Sequence, residues 1–177
     1  MRIPLPQPTQ RTVTALVFCL LAAGCSSSRP APGSSSTEAP QIASVDVVEA
    51  RPQEASIARG NSGDLIVQLK ITPGYHVNAN PPSYSYLKPT ELEFPKMDGI
   101  SVEFISYPDP LTKKFPFAET PLAVYEGEAI LKARLRVDRS APAGQRNLSA
   151  KLRVQACDER VCYAPGEKNV LVPVNIK

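Results

Sequence analysis

The stretch from Gln155 to Pro165 reads QACDERVCYAP and holds two of the four cysteines in the chain. Two sulfurs with four residues between them can do three kinds of chemistry. They can close a structural disulfide, contribute to a metal site, or open and close as a redox pair. Strand-like residues stand on both sides, so Asp158 to Val161 can form the tip of a hairpin or a bulged link. A loop of that length can set Cys157 and Cys162 opposite each other at its mouth. Directly paired strand positions come close to the Cα separation of roughly 5.5–6 Å that a disulfide prefers. As a staple the bond contributes little. In the chain-entropy model a six-residue loop is worth about 2 kcal/mol, against nearly 5 for a hundred-residue loop. Bridges between adjacent strands also tend to be reducible. On these grounds the inert staple and the redox pair both stay open.

The metal alternative is weaker. Zinc wants four ligands, usually supplied as two close pairs. Here there is one pair, and the only histidine, His76, lies about eighty positions earlier. In GYHVNANPP it reads as a polar residue entering a turn. No metal and no cofactor is expected. Charge around the cysteines is mixed: Asp158 and Glu159 disfavour a thiolate, and Arg160 favours it.

Which chemistry is open depends on where the chain works. Residues 1–24 read as a targeting segment, with Arg2 and Arg11 ahead of the eleven-residue apolar run Val13 to Ala23. That run is shorter than the roughly 20 residues a membrane-spanning helix needs. It ends in LLAAGC, which resembles the lipobox of bacterial lipoproteins, with Cys25 as the lipidated residue. Such boxes usually place Leu three positions before the cysteine; here Ala22 holds that place and Leu21 lies one further back. An ordinary secretory signal is the alternative. Either route takes the chain out of the cytoplasm, and Cys19 is discarded with the signal. Residues 25–40 read as a tether, since Ser26 to Pro40 is SSSRPAPGSSSTEAP and nothing in it fills a core. Its mean reach is roughly 20 Å. Ser26 resembles an outer-membrane sorting signal, which places the expected anchor in the outer membrane facing the periplasm.

Residues 41–177 remain as one domain, long enough to bury a core without staples. Removing Arg2 and Arg11 lowers the net charge from +3 to +1. The remaining basic residues form no patch, so no nucleic-acid partner is expected. Period-two alternation runs through DLIVQLKIT, with Leu65, Val67, Leu69 and Ile71 on one face. It recurs in EAILKARLRVD and in RNLSAKLRVQAC. These are half-buried strands with one wet face. Shorter candidates are SVDVVEA, ELEF, ISVEFISY, LAVYEG and NVLVPVNI. No stretch shows helical periodicity. Seven to nine short strands separated by turns predict an all-β, immunoglobulin-like antiparallel sandwich, although Trp is absent.

The block VQACDERVCYAPGEKNVLVPV resembles the end of the amino-terminal periplasmic domain of the bacterial thiol–disulfide interchange protein DsbD. That family carries a strand, a paired cysteine motif, Tyr or Leu with Pro (here Tyr163 and Pro165), and a final apolar strand. GYHVNANPPSYSYLKPTELEF and YPDPLTKKFPFAETPLAVYEGEAIL resemble its middle. The similarity covers Val45 to Ile176, and the cysteine block is its most specific part. It implies an immunoglobulin-like sandwich whose cysteine pair shuttles electrons between thioredoxin-like envelope oxidoreductases. It assigns Cys162 to the mixed disulfide with partners and Cys157 to resolving it. It also implies a cap loop with an aromatic shield. The corresponding segment is Lys113 to Thr120, with Phe115 or Phe117 as the shield. By residue type alone both phenylalanines read as core packing.

The cysteine spacing here is four, while some members have five. The family's full-length protein continues into a membrane domain and a thioredoxin domain, and this sequence ends at Lys177. The expectation is therefore a DsbD-type membrane electron donor acting in trans on a lipid-anchored carrier. A dedicated reductant for cytochrome c maturation would use the same chemistry with another partner. The alternative from a different class is a non-enzymatic envelope lipoprotein that binds a partner and keeps an inert structural disulfide.

Overall fold

The computed structural model describes residues 42–177. The expected signal segment, tether and lipidation residue Cys25 lie outside the described residues. None of the described residues is helical, and twelve strands carry the fold.

Three strong alternating segments become long strands. β3 is Ser62–Ile71, β9 is Glu128–Val137 and β10 is Gly144–Val154. Each buries every second residue and leaves the others wet. β3 and β9 pair antiparallel and are flanked by β1 (Val48–Pro52) and β6 (Ile100–Ser106), giving the sheet order β1-β3-β9-β6. β10 pairs with β12 (Gly166–Ile176) over eleven positions, from Gly144↔Ile176 to Val154↔Gly166. β5 (Glu91–Glu93) borders β10 antiparallel, and β2 (Ala55–Ile57) borders β12 parallel.

The inward faces of the two sheets share one core. Leu65, Val67, Leu69, Leu131 and Leu135 come from the first; Leu152, Val154, Val172 and Ile176 come from the second. Each such side chain contributes about 1.5–3 kcal/mol by leaving water. This is the antiparallel, immunoglobulin-like sandwich expected from the alternation, with β2–β12 as a parallel exception.

Two expectations need correction. The strand number exceeds seven to nine because β2, β4 (His76–Asn78), β7 (Leu111–Lys113) and β11 (Ala156–Cys157) are only two or three residues long. Such pieces show at most one alternation, so periodicity cannot reveal them. The last strand also starts at Gly166, not Asn169. Glu167 and Lys168 belong to its ladder although neither is apolar, because the pairing with Arg153 and Leu152 is made by backbone groups.

A third sheet, of order β11-β4-β8-β7, is built from the short pieces and β8 (Leu122–Tyr125). It has its own small core of Leu87, Phe115, Leu122 and Val124. It positions the cysteines.

Candidate redox site

Between Val154 and Gly166 the chain leaves the β10–β12 ladder on an excursion. Ala156 and Cys157 pair with Val77 and His76 of β4, so the first cysteine is part of the third sheet. The chain then turns over Asp158 to Val161 and comes back with Cys162 opposite Cys157. The Asp158 N–H donates to the Val161 carbonyl at 2.9 Å, and the Tyr163 N–H donates to the Ala156 carbonyl at 2.8 Å. The two sulfurs are joined as a disulfide, with 3.9 Å between the Cα atoms. The four-residue loop thus closes at its mouth on the cysteine pair, with the Cα atoms closer together than the roughly 5.5–6 Å expected.

Side chains hold both arms of the excursion. Ser44, fully buried, accepts from the Ala156 N–H at 3.0 Å and donates to the Ala164 carbonyl at 2.6 Å. Gln155 donates to the Tyr163 carbonyl at 3.2 Å and accepts from the Lys88 N–H at 2.8 Å and Asn78 Nδ2 at 3.0 Å. Asp158 organises the tip. Its Oδ1 accepts from the N–H groups of Arg160 (2.7 Å) and Val161 (2.8 Å), and its Oδ2 accepts from the Tyr163 hydroxyl at 2.8 Å. The Arg160 N–H and the Tyr163 hydroxyl hold its carboxyl down at about 2. The same hydrogen bond raises the Tyr163 phenol to about 12. Asp158 is therefore an anion at any working pH, in the turn that joins the two cysteines.

The two cysteines differ in access. Cys157 is 0% exposed, whereas Cys162 is only half-buried. Two open grooves meet at Cys162. One, of about 610 Å³, is lined by Tyr84, Tyr86, Phe117 and Val161 among others. The other, of about 650 Å³, runs past Ile42, Ser44, Tyr163 and Pro165. Cys157 lines neither.

The segment from Lys113 to Thr120 leads from the end of β7 to this place. Phe115 is 1% exposed and stacks on the His76 ring at 4.2 Å between centroids. Phe117 stacks on Phe115 at 5.2 Å and is 40% exposed. Lys113 Nζ reaches Glu159 Oε1 in the cysteine turn at 3.1 Å and Glu126 Oε2 at 3.3 Å. Tyr84 and Thr120 are joined by a hydrogen bond between their hydroxyls.

His76 does not enter a turn. It lies in β4, fully buried, as the register partner of Cys157. Burial holds its imidazole below the ordinary histidine range; Lys113 adds to this, while Glu159, Glu126 and Asp158 oppose it. All three residues of β4 are buried, so there is no alternation from which a strand could be read. Among the described residues no cluster of three or more His, Cys, Asp or Glu is placed to hold a metal ion.

The family described as thiol:disulfide interchange protein DsbD, N-terminal, matches residues 44–173. The chain belongs to that family. The match spans both main sheets and the whole cysteine excursion, so the DsbD amino-terminal family accounts for nearly all of the described fold. The Cys157–Cys162 disulfide lies within the matched residues. Members are periplasmic domains concerned with thiol–disulfide interchange.

Among solved structures, the reduced DsbD amino-terminal domain of Neisseria meningitidis is similar at 16% identity, covering 76% of this chain and 90% of that one, with a TM-score of 0.49. A cohesin–dockerin complex of Clostridium thermocellum aligns at 13% identity over 74% of this chain and 99% of that one, with a TM-score of 0.33. The fimbrial subunit AggA of Escherichia coli aligns at 6% identity over 77% and 99%, with a TM-score of 0.32. No curated protein matches the chain.

Proposed function

We propose that the protein is an envelope electron carrier that works by thiol–disulfide exchange through Cys157 and Cys162. The observation that carries this is the unequal exposure of the two cysteines. An exchange partner must approach one sulfur in line with the bond it breaks. Half-buried Cys162, between two grooves, offers that approach; buried Cys157 does not. Cys162 is therefore the sulfur that joins partners, and Cys157 is the one that closes the ring and releases them. The partners are thioredoxin-like oxidoreductases, with a DsbD-type membrane protein as electron donor. Cytochrome c maturation is one process such a carrier would serve.

Lys113 to Thr120 acts as the cap. Phe115 covers the inner side of the site and Phe117 stands over the groove at Cys162, so a docking partner has to displace Phe117 first. The domain is residues 41–177, held to a membrane through Cys25 by the tether of residues 25–40 after removal of residues 1–24, with the outer membrane as its place.

Trapping tests the assignment. With a thioredoxin-like partner, Cys157→Ala accumulates a mixed disulfide and Cys162→Ala forms none. Equal trapping by both variants contradicts the roles given to the two sulfurs.

The complete burial of Cys157 favours a second reading, a partner-binding lipoprotein with an inert bond. Against it, a six-residue ring returns only about 2 kcal/mol as a staple.

A further inference from the structure

His76 is buried beside the cysteines with neither ring nitrogen hydrogen-bonded. A fully buried polar group without a partner is rare and costly, so it asks for an explanation. Its backbone register supplies one. His76 and Cys157 are direct partners on antiparallel strands. Residues so placed share a face of the sheet, with Cβ atoms about 4.5–5.5 Å apart. Phe115 stacks on the imidazole and separates it from solvent. In the disulfide form Cys157 has no proton to offer. Reduction creates an S–H donor on Cys157, next to an acceptor that lacked one.

We propose that His76 takes the proton of the buried Cys157 thiol when that sulfur attacks the mixed disulfide at Cys162. This rests on the exchange reading of the pair given above. In the first step the Cys162 thiolate attacks a partner disulfide, and one partner sulfur leaves as a thiolate. In the second step the Cys157 thiol gives its proton to the imidazole and its sulfur attacks Cys162 Sγ. The Cys162–partner bond breaks and the Cys157–Cys162 bond forms. The second partner sulfur leaves with the electron pair and receives the proton from the imidazolium. Two electrons pass from the pair to the partner. In the reverse direction the imidazolium protonates Cys157 as it leaves.

The need for such a base follows from the site. Cys157 is fully buried, and burial without a charged partner disfavours a thiolate. The groups facing His76 are Lys113 at the end of β7, Glu126 after β8, and Asp158 and Glu159 in the cysteine turn. The three carboxylates favour the transient imidazolium and the lysine opposes it. A histidine kept neutral by burial is ready to accept a proton at pH 7.

The test uses the full chain with Cys19→Ser and Cys25→Ser, fully reduced and mixed with dithiobis-nitrobenzoate. Capture at Cys162 releases one coloured thiolate, and closure by Cys157 releases a second, so the two steps are separate phases. At pH 7, His76→Phe is expected to slow the second phase about tenfold or more, and to leave the first within about twofold. In that variant the second phase should rise about tenfold per pH unit while the thiol titrates, whereas the native chain stays nearly flat between pH 7 and 8. His76→Gln, which can accept a hydrogen bond but holds no proton, should match His76→Phe. A native second-phase rate in either variant overturns the proposal. If the native chain itself releases only one equivalent, the pair does not close and the exchange reading fails along with it. Two equivalents at an unchanged rate in His76→Phe leave exchange standing and remove His76 from it.

Discussion

At the scale of single residues, the site is governed by one persistent charge and one suppressed charge. Asp158 stays ionised because two backbone N–H groups and the Tyr163 hydroxyl converge on it. Asp158→Asn keeps an oxygen for the turn and removes the charge. Removing the charge should speed alkylation of Cys162 at pH 7 by about threefold to tenfold. Iodoacetamide kinetics on the reduced chain measure this; an unchanged rate would show that the carboxylate does not reach the sulfur.

His76 works in the opposite sense. Its folded pKa lies below the unfolded value, so the unfolded chain binds the proton first as pH falls. Stability is full above about pH 6.5 and is lost progressively below it, down to the folded pKa. Urea titrations of the oxidised native chain at pH 7.5 and 5.5 should show that drop, and His76→Phe should remove part of it. None of this was legible in the sequence, where His76 stands between Tyr75 and Val77 in a strand too short to show alternation. The pairing of Cys157 with Cys162, by contrast, could be read from spacing, because a four-residue loop has few ways to close; whether the bond is inert or exchanged could not, and only the family resemblance pointed to exchange.

At the scale of elements, the alternating strands β3, β9 and β10 were readable because each has one wet face for its whole length. The third sheet was not. Its strands have two to four residues, and β4 is buried on both faces. Yet these pieces set the cysteine geometry, since β11 exists only by pairing with β4. Lys113 ties the proposed cap, Lys113 to Thr120, to the cysteine turn through Glu159. Both partners are substantially exposed, so the pair is worth at most about 1 kcal/mol. Lys113→Ala should therefore leave the midpoint of unfolding almost unchanged. Alkylation of Cys162 should rise by at most about fivefold, which is that same energy expressed as a population of displaced cap. A large loss of stability would mean the ion pair holds the fold rather than the cap.

At the scale of the whole molecule, the core makes the disulfide dispensable for folding. Leu131 sits at the centre of β9 between the two sheets, and Leu131→Ala should cost about 2–5 kcal/mol. Opening the six-residue ring should cost only about 2 kcal/mol. The reduced chain is therefore expected to remain a cooperatively folded sandwich, with a melting temperature lower by about 5–10 °C. Loss of the near-ultraviolet circular dichroism on reduction would contradict this. A carrier must be folded in both redox states, and a sandwich whose main core lies outside the cysteine excursion satisfies that requirement.

The most direct test of the whole account is the reduction potential of the Cys157–Cys162 pair, read by equilibrating the purified chain with glutathione and thioredoxin redox buffers. A cycling pair is expected to titrate above about −300 mV, within reach of thioredoxin-like donors. A potential well below that value would mark a permanent structural bond and leave no electron carrier to explain.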